Sequence, residues 1–169
     1  MIILQPDKRS RYFSALRNKG KVVAVSGYFD PPTPTHLLYF QAARKLGDFL
    51  VVLLNNDAQL LAKRKGTKLE GRIRYPLKDR TLIVNEFRTV DVVAVSIDTG
   101  RGISETLRLV RPHIFAKGGD RDLANLPREE IEVCREIGCE IVCGVGGGRS
   151  EKSHSSSWYD WESQTQQTL

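Results

Sequence analysis

The chain has 169 residues, 40% of them hydrophobic and 27% charged, a size and balance that suit one globular core and exclude fibrous repeats and disordered chains. Its longest apolar run, Phe49 to Leu54, covers six residues, far fewer than the ~20 that span a bilayer. The opening MIILQPDKRSRYF lacks the apolar stretch of a secretory signal, so a cytoplasmic location without membrane partners is expected. The net charge of +6 is concentrated between Lys63 and Arg80, where eight basic residues face two acidic ones. Such a segment attracts a polyanion, either a nucleoside triphosphate or a nucleic acid.

In chain order, Tyr12, Phe13 and Leu16 with a cap at Asp7 predict a helix over 7–18. A first strand is expected over 22–26, followed by a helix over 34–46 that opens on Pro34 and is closed by Gly47. A second strand over 49–54 leads into Asn55, Asn56, Asp57 and the basic segment. Helices over 76–87, 103–110 and 127–137 then alternate with strands over 92–97, 113–116 and 140–143. Near-continuous apolar strands alternating with helices predict a single α/β domain, Rossmann-like and doubly wound, with a mainly parallel five-stranded sheet. Residues 1–20 form a helical extension and residues 159–169 a polar tail in this reading. Cys134, Cys139 and Cys143 match no zinc spacing, and Cys134 on a helix and Cys143 in a strand are expected as small buried groups.

In an open parallel sheet, ligands sit at the carboxyl ends of the strands. The segment VVAVSGYFDPPTPTHLLYF runs from the first strand through Gly27, Tyr28, Phe29, Asp30, Thr33 and His36 into a helix start. There free amides and the helix dipole favour phosphate. The other loops that carry chemistry are the basic run with Lys65 and Gly66, the segment FAKGGDR, and a Gly- and Ser-rich stretch from Gly144 to Ser157.

Phe29, Asp30, Thr33 and His36 resemble the Phe-Asp-x-x-(His or Thr)-x-Gly-His signature of the cytidylyltransferase-like nucleotidyltransferase superfamily. Thr35 stands where most members have Gly. Asn55-Asn56-Asp57, Lys65-Gly66 and Pro76-Leu77 with Arg80 resemble further elements of the branch. Phe115-Ala116-Lys117-Gly118-Gly119-Asp120 resembles an element of heptose 1-phosphate adenylyltransferases, and Ser155-Ser156-Ser157 a hydroxyl cluster that holds phosphates. The resemblance, nearest the heptose 1-phosphate adenylyltransferase and glycerol-3-phosphate cytidylyltransferase branch, covers roughly Lys21 to Trp158.

The resemblance implies direct attack by an acceptor phosphate on the α-phosphorus of ATP or CTP, with magnesium on the triphosphate, no protein metal site, and a homodimer. It implies His36, Lys65 and Thr33 as catalytic, with Gly27, Tyr28, Phe29, Asp30, Lys117, Gly118, Asp120, Ser155, Ser156 and Ser157 around the nucleotide. Asp57, Arg80, Arg121 and Arg149 are expected at the acceptor or the phosphates. The acceptor stays open among sugar phosphates, polyol phosphates and cofactor precursors of the phosphopantetheine or nicotinamide mononucleotide type. A nucleotide-binding protein impaired in catalysis by Thr35 is the alternative. Nucleic-acid binding is disfavoured because Tyr75 is the only aromatic in the basic segment.

Overall fold

The computed structural model describes residues 6–119 and 121–146. The described elements are α1 (Pro6–Lys19), β1 (Val22–Gly27), α2 (Pro34–Arg44), β2 (Phe49–Leu54), α3 (Asp57–Arg64), α4 (Leu77–Asn85), β3 (Val92–Val95), α5 (Ser104–Val110), β4 (Ile114–Gly118), a 3-10 turn (Leu123–Asn125), α6 (Arg128–Ile137) and β5 (Glu140–Val145). The strands form one all-parallel sheet in the order β3-β2-β1-β4-β5. The α/β, Rossmann-like architecture is therefore as expected.

Because side chains alternate across a strand, each apolar strand feeds two cores. Val22, Ala24, Val51, Leu53 and Phe115 point to one face, where they meet Phe13 and Leu16 of α1, Leu107 and Val110 of α5, and Val133 and Ile137 of α6. Val23, Val25, Leu50, Val52, Leu54 and Ala116 point to the other, against Phe40 and Ala43 of α2 and Val84 of α4. This two-sided burial explains why the strands read as unbroken apolar runs. Helix α1 belongs to the first core through Phe13 and Leu16, so the N-terminal helix packs as part of the sheet's cover.

Three local differences from the sequence reading bear on function. Helix α3 was not expected. Its start is an Asn capping box, in which Asn56 Oδ1 accepts from the Gln59 amide at 2.9 Å and Gln59 Oε1 accepts from the Asn56 amide at 3.0 Å. Strand β4 continues to Gly118, placing Lys117 on the strand, and β5 continues to Val145 across an irregularity between Ala116 and Gly118. Strand β3 stops at Val95, two residues early, because the chain leaves the edge of the sheet to cross over β2 and β1 on its way to α5.

Candidate functional site

The turn that leaves β1 is shaped by close packing. Phe29 adopts a positive φ of 45°, an uncommon conformation for a non-glycine residue, and its ring lies edge-on to His36 and Phe40 at 4.9 and 5.1 Å. A Cβ on Gly27 would come within 2.6 Å of that ring. Glycine is thus required here by Phe29, besides lining the cleft. Asp30, buried, accepts from Arg64 at 2.8 Å and from the amides of Arg74 and Tyr75 at 3.0 and 2.7 Å. Both carboxylate oxygens are engaged in holding the segment that follows α3.

Thr33 precedes α2 and is buried, with His36 at the third helical position. The Thr33 amide donates to His36 Nδ1 at 2.9 Å, and the Thr33 hydroxyl lies 3.0 Å from the same nitrogen. A ring nitrogen that accepts from an amide carries no proton, so the neutral ring has its N–H at Nε2. Burial, and secondarily the charge of Lys63, lowers the His36 pKa to about 4. At neutral pH His36 is therefore an uncharged donor lining the cleft.

The cleft, about 1330 Å³ in volume, opens above the carboxyl ends of the strands. One wall is the crossover after β3. Asn56 Nδ2 donates to the carbonyls of Ser96 and Asp98 at 3.3 and 3.0 Å, Gln59 Nε2 to those of Gly100 and Gly102 at 2.8 and 2.6 Å, and the Tyr28 hydroxyl to that of Arg101 at 3.3 Å. Asp98, buried, receives the amides of Glu105 and Thr106 at 2.8 and 3.0 Å and so ties the loop to α5. The opposite wall carries Lys117, whose Nζ pairs with Glu130 of α6 at 2.9 Å and lies 4.3 Å above the Phe115 ring. Tyr39 donates to the Ala116 carbonyl at 2.6 Å, and Gly118 and Gly146 leave room for Tyr39, its ring and its backbone respectively.

Three cations in the cleft lining, Lys63, Arg101 and Arg121, form no ion pair among the described residues. Lys63 Nζ lies 4.4 Å above the Tyr28 ring. Partial desolvation and the positive charges of Arg121, Arg64 and Arg101 hold its pKa below the usual lysine value. A lysine whose charge is disfavoured by neighbouring cations in this way favours an anionic occupant.

Of the residues singled out in the sequence, Gly27, Tyr28, Phe29, His36, Lys117, Gly118 and Arg121 line the cleft. Thr33 lies behind His36 as its cap. Asp30 faces Arg64, away from the lining. Arg80, wholly buried, donates to the carbonyls of Tyr75, Tyr28 and Asn55 and to Asp57 at 3.0, 2.6, 2.9 and 2.5 Å. Asp57 and Arg80 therefore brace one another beneath the turn and do not themselves line the cleft; Arg80 holds two of its lining residues, Tyr28 and Asn55, from behind. Lys65 is exposed just beyond α3 and does not line the cleft; Lys63, inside the last helical turn, does. Asp120, Arg149, Ser155, Ser156 and Ser157 lie outside the described residues. Glu130, Tyr39 and the crossover with Arg101 were missed. Only the Asn-x-x-Gln spacing at Asn56 and Gln59 signalled the helix that pins that crossover.

A parallel sheet whose first strand turns into a helix start, under a cleft lined by cations unpaired among the described residues, defines a nucleotide-binding α/β domain. The chain matches the cytidylyltransferase-like family over residues 24–163 and belongs to it. It is 40% identical over 124 residues to the bifunctional protein HldE of Streptomyces coelicolor, covering 73% of this chain and 25% of that one. It is 39% identical over 134 residues to HldE of Methylococcus capsulatus, covering 78% and 25%. The chain thus spans about a quarter of the length of these relatives. Among solved structures, the lipopolysaccharide core biosynthesis protein from Thermoplasma volcanium superposes with a TM-score of 0.61 at 25% identity, over 75% of this chain and 98% of that one. No described helix is long and apolar enough to cross a membrane.

Proposed function

We propose that this chain transfers a nucleoside monophosphate from ATP or CTP to a sugar or polyol phosphate and releases pyrophosphate. The observation that carries the reading is the combination of an uncharged His36 donor with cations, unpaired among the described residues, at the carboxyl ends of the strands. An oxygen of the acceptor phosphate attacks the α-phosphorus, and the bond from that phosphorus to the bridging oxygen of the β-phosphate breaks. The electron pair leaves with pyrophosphate. The attacking phosphate is already an anion at neutral pH, so no general base is required of the protein. The work left to the chain is positioning and stabilising charge on the departing group.

His36 Nε2–H and the positive end of the α2 dipole suit the β- and γ-phosphates, and Lys63 suits the charge that grows on the leaving oxygen. Magnesium, brought by the triphosphate, would help to neutralise the pyrophosphate. The 25% identical neighbour from Thermoplasma volcanium, a lipopolysaccharide core biosynthesis protein, supports a sugar phosphate as acceptor.

The test is a pyrophosphate-release screen that crosses the four common nucleoside triphosphates with sugar, polyol and cofactor-precursor phosphates. Release that needs both a triphosphate and a phosphorylated acceptor is expected. Tight nucleotide binding by calorimetry with no release across the panel would overturn the reading in favour of a binding protein impaired at Thr35.

A further inference from the structure

The crossover after β3 carries none of the motifs that mark the nucleotide site, yet it forms a full wall of the cleft. Its backbone is fixed at five carbonyls by three side chains from two other segments, Asn56 and Gln59 of the α3 start and Tyr28 of the β1 turn. At its centre Arg101 lies between Gly100 and Gly102, whose carbonyls Gln59 binds at 2.8 and 2.6 Å. The backbone is therefore held in place while the guanidinium is exposed and unpaired among the described residues. Tyr28 ties it to a second cation, because the same phenol donates to the Arg101 carbonyl and carries Lys63 4.4 Å above its ring. This pair stands on the β2 and β3 side of the cleft, while Lys117, Gly118 and Gly119 form the β4 side.

We infer that Arg101 is the anchor for the phosphate of the acceptor, and so a residue that selects phosphorylated over unphosphorylated acceptors. This rests on the nucleotidyl-transfer reading above. A guanidinium fork matches two oxygens of a phosphomonoester and leaves the third free to attack.

The experiment compares wild type with Arg101→Ala and Arg101→Lys in steady-state kinetics and in calorimetry. Calorimetry titrates heptose 1-phosphate, mannose 1-phosphate and glycerol 3-phosphate into protein saturated with a non-hydrolysable ATP or CTP analogue. For R101A the KM and Kd of the acceptor are expected to rise about 10- to 100-fold, as for a lost charged hydrogen-bond pair. KM for the nucleotide and the melting temperature should stay within about twofold and 2 °C of wild type, since Arg101 is an exposed loop residue. R101K should recover only part, having charge without the fork. An equal rise for nucleotide and acceptor, no rise for either, or a wild type that binds none of the three phosphates overturns the inference. If wild type binds acceptor through Arg101 but releases no pyrophosphate, the transfer reading fails and the anion site stands. If wild type turns over and R101A does so with an unchanged acceptor KM, the transfer reading stands alone.

Discussion

A three-variant series at position 36 separates the helix cap from the chemistry. His36→Ala removes both the acceptor for the Thr33 amide, now bonded at 2.9 Å, and the donor at Nε2. A lost cap bond costs about 1 kcal/mol, or roughly 2–4 °C in melting temperature for a chain of this size. A lost preorganised donor costs about 100-fold or more in turnover. Gln at the third helical position can reach back to the cap amide, and its carboxamide sets donor and acceptor about as far apart as the two imidazole nitrogens. His36→Gln should therefore melt like wild type and lose only about 10-fold in pyrophosphate release. Glu also serves the cap and the helix dipole but has no proton to donate, so His36→Glu should be stable and lose at least about 100-fold. Paired melting curves and pyrophosphate-release rates decide the matter. A Gln variant as stable as wild type and as inactive as the Ala variant would refute a neutral donor at this position, and normal turnover of His36→Ala would refute the site.

Lys63→Ala should lower kcat/KM for the triphosphate about 10-fold or more, whereas Lys65→Ala should stay within about threefold, because only the first side chain lines the cleft; the two rate measurements test which lysine acts. Acidification should destabilise the fold between pH 6.5 and about 4. In that window unfolded His36 binds a proton that the folded ring, with its pKa lowered to about 4, does not, so stability is present above pH 6.5 and falls by at most about 3 kcal/mol on the way down. Urea midpoints at pH 7.5 and 4.5 should show a smaller difference for His36→Gln than for wild type. Arg80→Ala should cost about 3 kcal/mol or more in urea unfolding, since it leaves the Tyr28 and Asn55 carbonyls without this donor and Asp57 without its partner beneath the turn.

The strands, five of the helices and the turn holding His36 are legible in the sequence because each is a local pattern. Apolar runs, Pro at helix starts and Gly after helix ends need no knowledge of distant residues. That Lys63 and not Lys65 lines the cleft escapes a sequence for an equally local reason. Helix α3 is short and weakly patterned, and once it is missed there is no way to know which side chain its last turn aims at the cleft, because successive helical residues are rotated by about 100°.

What the tertiary structure decided is which polar groups face inward. Arg64 and Arg80 belong by count to the basic segment, yet they are buried against Asp30 and Asp57, so the charge that faces solvent is smaller than the sequence suggests. Gly27 is explained by Phe29, and Gly118 by Tyr39, 79 positions away in the chain and closed onto it across the sheet. The wall with Arg101 exists because β3 lies at one edge and β4 on the far side of β1, which obliges the connecting loop to pass over the strand ends. A sequence specifies the elements through neighbours a few residues apart, whereas a cleft is built from loops that only the order of the strands brings together.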